Sequence, residues 1–179
     1  MPVSTTLARI SADRGDRHAM LPADTDLFRQ ISRCWASGVA VVTTRSPRGP
    51  GAGLTMTAVS SLSINPMQYL ICLDHGSKTG EAIKSEGVFC INILGSDQRS
   101  QSDLFASKSD KKLDQVDYVV AENGVPILCD TLASIMCEVA AIHVEGDHDI
   151  VVGRFVTGRC QPAAPLVHFD RGYYQVRAM

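Results

Sequence analysis

The sequence predicts a mainly β domain: an antiparallel barrel with a few short helices on its rim. Three observations lead there. Short apolar, β-branched runs recur along most of the chain, divided by turn residues. Helical periodicity is confined to brief stretches. Strands and helices do not alternate regularly, and no G-x-G-x-x-G follows the first strand, which disfavours a doubly wound sheet.

The elements follow in order. Residues 1–23 mix Ser, Thr, Arg and Asp with little periodicity and read as a mobile N-terminal arm, leaving 24–179 as the folded domain. Asp24 or Thr25 can cap a helix over Asp26 to Ser37, with Leu27, Phe28, Ile31, Cys34 and Trp35 on one face and Gly38 as its stop. Val39 to Thr44 is a strand, and Ser46 to Gly51 is turn chemistry that sets up a hairpin. Gly53 to Ile64 reads as a hydroxyl-rich strand. Gln68 to Asp74 is an apolar strand, Thr79 to Ser85 a short helix, and Val88 to Leu94 another strand. Ser96 to Ser107 can be helical, and Ser107 to Asp117 is a charged loop. Ala133 to Val144 and Ile150 to Cys160 form a long hairpin around Glu145 to Asp149. Leu166 to Phe169 and Tyr173 to Val176 close the chain.

Composition narrows the function classes. The 179 residues suit one domain that needs no disulfide scaffold. Lys plus Arg number 17 against 19 Asp plus Glu, a net charge of -2 that argues against nucleic acid as a partner. No apolar run approaches the roughly 20 residues of a membrane helix, so no membrane partner is expected. The first 20 residues carry Arg9, Arg14 and Arg17 without an apolar segment, unlike a signal peptide. Six cysteines without a C-x-x-C pair read chiefly as reduced core thiols of a cytoplasmic protein. His143, Asp147, His148 and His168 lack the grouping of a zinc site, and no metal is expected.

Three stretches could carry chemistry. In an unbroken strand, Thr55, Thr57, Val59, Ser61 and Ser63 share one face. That polar face is either plain surface or a groove where backbone and hydroxyls meet a planar, phosphate-bearing ligand. Ser77-Lys78-Thr79 at a helix start is either a cap or a phosphate cradle. In Gly146-Asp147-His148, acidic neighbours flank a histidine at a sharp turn, either a plain hairpin or a ligand contact.

Taken together and in order, these stretches resemble the flavin reductase family, the short chains that serve two-component flavin-dependent monooxygenases. The likeness runs from about Phe28 to the C-terminus. It is carried by Ser37 to Thr44; Gly53-Leu54-Thr55 leading to Ser61-Leu62-Ser63-Ile64-Asn65-Pro66; Phe89 to Leu94; Phe105-Ala106-Ser107-Lys108; Gly146 to Gly153; and Pro165 to Phe169. The resemblance implies a Greek-key split β-barrel, a homodimer, FMN or FAD as the flavin and NADH or NADPH as co-substrate. The implied activity is that of an NAD(P)H:flavin oxidoreductase that supplies reduced flavin to a partner monooxygenase. The alternatives are an FMN-binding barrel that keeps flavin as a prosthetic group, and a flavin carrier or sensor without turnover. By motif position, Thr55, Met56, Thr57 and Ala58 would lie along the flavin. Ser61, Ser77 and Thr79 would hold its phosphate with Lys78 as charge partner, Phe105 and Ala106 would also contact it, and His148 would face the nicotinamide. The sequence reads Thr55-Met56-Thr57-Ala58 where relatives often read Thr-x-Ser-Ser. Met67 follows Pro66 where a second proline is common, and His168 stands where an aromatic residue is frequent.

Overall fold

A computed structural model describes residues 20–46 and 49–177. Most of the expected arm, and Pro47 and Arg48 of the first turn, lie outside the described residues. The chain divides into two compact units, Met1–Ser32 and Arg33–Met179.

In the first unit, α1 (Thr25–Arg33) starts where expected. Asp24 Oδ1 accepts from the N–H groups of Asp26 and Leu27 at 2.9 and 2.8 Å, so Asp24 is the cap. The helix stops before the expected Ser37, because Ser37 and Gly38 are drawn into a strand, β1 (Ser37–Gly38), which pairs with the C-terminal hairpin.

The second unit is strand-built, as the sequence indicated. In chain order it holds β2 (Ala40–Ser46), β3 (Gly49–Met56), β4 (Val59–Ile64), β5 (Met67–Asp74), α2 (Lys78–Glu86), β6 (Val88–Ile93) and α3 (Arg99–Ala106). A 3-10 turn at Leu113–Gln115 precedes β7 (Tyr118–Val120), β8 (Pro126–Leu128), β9 (Ala133–Glu145), β10 (His148–Cys160), β11 (Leu166–Phe169) and β12 (Gly172–Gln175). Seven strands form the main sheet in the order β3-β2-β6-β9-β10-β5-β4, with every pairing antiparallel.

The expected single strand from Gly53 to Ile64 is corrected here. It is two strands, β3 and β4, on opposite edges of the sheet, joined through Thr57 and Ala58. Laid flat, seven strands would set those edges about 29 Å apart. The three Cα steps from Met56 to Val59 span at most about 11 Å. The sheet is therefore rolled up at this end. A register shift between Ser61 and Ser63 further breaks the alternation assumed for the hydroxyl face.

Rolling gives the sheet an inside and an outside, each with a core. Ala40, Val42, Met56, Ile71, Leu73, Phe89, Ile91, Ile135 and Val151 cluster with Ile83 of α2. Val39, Val41, Leu94, Phe105, Leu113, Leu128 and Leu166 form a second cluster. The alternating residues of β2 serve both, which is why it reads as a continuous apolar run. The buried Asn92 amide is satisfied: Nδ2 donates to Val41 O and Thr43 Oγ1, and Oδ1 accepts from Leu128 N–H.

Candidate functional site

The helix α2 opens onto a cleft of about 540 Å³. Ser77 is its N-cap: the residue is extended, and its Oγ accepts from Gly80 N–H at 3.1 Å. The hydroxyl keeps its own proton to donate. The N–H groups of Lys78 and Thr79 belong to the first turn and have no acceptor within the helix. Such a helix start favours an anion, electrostatically and by hydrogen bonding.

The facing wall is a stretch of β3 in which two of five residues are glycine. Residues 50–54 of β3 line the cleft, and Gly53 is held to glycine by its neighbour: a Cβ there would lie 2.7 Å from the Phe105 ring. Its missing Cβ makes room for that core ring behind the strand. Residues 107–110 and 112–114 close the third side.

Charge in the cleft is mixed. Lys78 Nζ lies 2.9 Å from Asp110 Oδ1, with both side chains largely exposed. That pair holds the Asp110 carboxyl below the usual carboxylate range. An exposed pair of this kind is worth little and opens readily to a competing anion. Lys112 is more firmly placed. Its Nζ donates to Phe105 O at 2.8 Å and Gly53 O at 3.3 Å, and partial burial lowers its pKa against the pull of Asp110.

A second feature adjoins α2. The long strands β9 and β10 turn through Gly146 and Asp147, and Gly146 has φ +60. Glycine at the first central position is what a type II′ hairpin turn requires. His148 is thereby the first residue of β10, pairing with Glu145 on one side and Asp74 on the other. Its Nδ1 lies 2.6 Å from Asp147 Oδ1, a bond that lowers the Asp147 pKa. A carboxylate can only accept, so Nδ1 carries the proton and Nε2 is the atom left for a ligand. The next residue, Asp149, is buried, ion-paired to Lys84 of α2 and 3.3 Å from His75 Nε2. The Lys84 contact is the main cause of its lowered pKa.

Of the residues singled out from sequence, the cleft gathers Ser77, Lys78 and Thr79. His148 sits at the neighbouring turn, with His75 N–H donating to Asp147 O at 3.1 Å between them. Thr55, Met56, Thr57, Ala58 and Ser61 continue from the cleft wall around the rolled edge but do not line the cleft. Thr57, Ala58 and Ser61 are exposed, whereas Met56 is buried in the core. Phe105 is also core, while its carbonyl receives Lys112; Ala106 is the exposed last residue of α3. Sequence reasoning missed Lys112, which looked like one of several loop lysines. It also missed His75 and Lys84, and read Asp149 only as an acidic neighbour of His148; the three meet where α2 and the residue after β5 lie beside β10.

Residues 32–177, most of the described chain, match the flavin reductase like domain. The chain belongs to the flavin reductase-like family. A flavin reductase (NADH) of Kitasatospora aureofaciens is 36% identical over 154 residues, covering 84% of this chain and 81% of its own. The reductase subunit HsaB of a flavin-dependent monooxygenase from Mycobacterium tuberculosis is 34% identical over 154 residues, covering 84% and 81%. Among solved structures, the flavin reductase PheA2 in its native state superposes with TM-score 0.80 at 31% identity, covering 87% of this chain and 100% of that one.

Proposed function

We propose that this flavin reductase-like protein is an NAD(P)H:flavin oxidoreductase that reduces FMN or FAD and passes the reduced flavin to a monooxygenase component. The observation that carries the reading is the cleft lined by the start of α2 and by residues 50–54 of β3. A phosphate-bearing planar nucleotide fits that chemistry: anion-seeking N–H groups at one end, and a glycine-containing, mostly apolar strand along which a ring can lie. A flavin held there would supply the redox chemistry, as acceptor of the hydride that a reduced nicotinamide gives up.

The chain's own part is binding and alignment. Ser77 and Thr79, with the N–H groups at their helix start and Lys78 nearby, hold the phosphate. Residues Thr55 to Ala58 and Ser61 follow the flavin around the rolled edge, with Phe105 and Ala106 supporting it from α3. His148 offers Nε2 to the nicotinamide. Lys78 is already engaged with Asp110, so the phosphate is held modestly, which suits a flavin that must leave.

The rolled sheet, whose edges β3 and β4 are strapped together, supports a split-barrel reading. Apolar side chains on the surface of this unit, among them Leu62, Ile64, Val144 and Val156, support a homodimer that covers them. Buried thiols at Cys90 and Cys137 suit the cytoplasm.

The test is to follow NADH and NADPH absorbance with and without added FMN or FAD. Oxidation that depends on added flavin is expected. Turnover with flavin that stays bound through dialysis would favour a prosthetic group. Tight flavin binding without any nicotinamide oxidation would favour a carrier and overturn the proposal.

A further inference from the structure

The geometry points to Asp149 as the positioning residue that holds His148 in place for the nicotinamide. The inference rests on the reading of His148 given above.

Asp149 follows His148 in β10, and its backbone pairs with Leu73 and Val144. Strand alternation turns the two side chains to opposite faces: His148 is exposed, whereas the Asp149 side chain is 3% exposed. A carboxylate buried beside the core is costly unless paired, and an apolar residue would serve stability at least as well. Its value therefore lies in what it fastens. Oδ1 lies 3.3 Å from His75 Nε2. Oδ2 lies 2.6 Å from Lys84 Nζ, its one polar partner among the described residues. Lys84 also reaches Glu81 Oε1 at 2.9 Å.

These contacts close a ring around the turn. Asp149 holds the side chain of His75, His75 N–H donates to Asp147 O, and Asp147 Oδ1 receives His148 Nδ1. Three links thus run from a fixed strand residue to the imidazole. The same carboxylate also pairs with Lys84, which lies in the last turn of α2, away from the helix start.

The experiment is a double-mutant cycle on the full chain, reading the KM for NADH, kcat at saturating flavin, and flavin Kd by fluorescence quenching. Asp149→Ala is expected to raise the KM for NADH about tenfold while kcat and flavin Kd stay within about twofold. In a His148→Ala background the same change should add less than about twofold, because the effect travels through His148. An unchanged KM in Asp149→Ala would overturn the proposal, as would a tenfold rise that persists without the imidazole. If His148→Ala itself leaves NADH kinetics untouched, the reading of His148 fails first and takes the proposal with it. Should Asp149→Ala not fold, His75→Ala breaks the ring from the surface side, and the same non-additivity with His148→Ala is expected. Additive effects there would equally overturn the proposal.

Discussion

The Thr55 hydroxyl donates to the Ser102 carbonyl at 2.6 Å, tying the end of β3 to α3. Ser102 Oγ lies 2.8 Å from Tyr173 OH, so the tie extends to the C-terminal hairpin. The only hydroxyl proton of Thr55 is thus already spent inside the protein. Thr55→Val keeps the shape and removes the bond, and should lower stability by about 1 kcal/mol. Thermal melts should show the loss, while FMN affinity falls by less than it does in Ser77→Ala. A larger loss of FMN affinity than in Ser77→Ala would make this hydroxyl a ligand contact after all.

Ser77→Ala removes the cap of α2 and one hydroxyl from the cleft. The helix should lose about 1 kcal/mol. FMN binding should weaken about tenfold, whereas riboflavin, which lacks the phosphate, should bind as before; a tenfold change corresponds to about 1.4 kcal/mol. Fluorescence titration with both ligands checks this, and equal losses would place the phosphate elsewhere.

Gly53→Ala tests the packing of β3 against Phe105. The new methyl would sit 2.7 Å from one Phe105 ring carbon and 3.2 Å from Thr43 Cγ2. Phe105 is fully packed and cannot yield, so a cost of about 1–3 kcal/mol is expected from overpacking. The urea midpoint should fall without a change in m-value.

Two titrations bound the stability profile. Burial pushes the thiols of Cys90 and Cys137 up to about 12 from 9.0. A raised folded pKa means stability is intact below the unfolded value and is lost as pH climbs toward 12. Each thiol contributes a slope of about 1.4 kcal/mol per pH unit in that window. Cys137→Ser should flatten part of the alkaline slope. The acid side runs the other way. Asp149 has a lowered pKa, so its contribution is present above the ordinary value of about 3.9 and fades as pH falls below it. Asp149→Asn should flatten the acid limb, and denaturation midpoints across pH measure both.

The strands were legible in the sequence because β-branched runs and turn residues mark them locally: β2, β5, β6 and the β9–β10 hairpin lie within a few residues of their expected places. The break at Thr57–Ala58 was not. Both residues are compatible with a strand, and only the demand that β3 and β4 occupy opposite edges turns the chain there. The end of α1 was misplaced for a similar reason, since Ser37 and Gly38 follow their pairing with Val167 and His168 rather than helical spacing. In the site, Ser77 carries its own signal as a cap beside a helix. Asp149 was legible only as an acidic neighbour of His148, because the partners that give it meaning, His75 and Lys84, are more than 60 residues away in the chain.

The Thr57–Ala58 strap bears on how the chain could be recut. New termini placed between those two residues would remove the covalent tether that keeps the outermost strands from drifting apart. Such a circular permutant could splay open along that seam, exposing unpaired edges to strand addition by a neighbouring molecule. The hairpin at Gly146–Asp147, whose strands stay zipped over 13 residues each, would tolerate an opening without that hazard, at the expense of the histidine it presents.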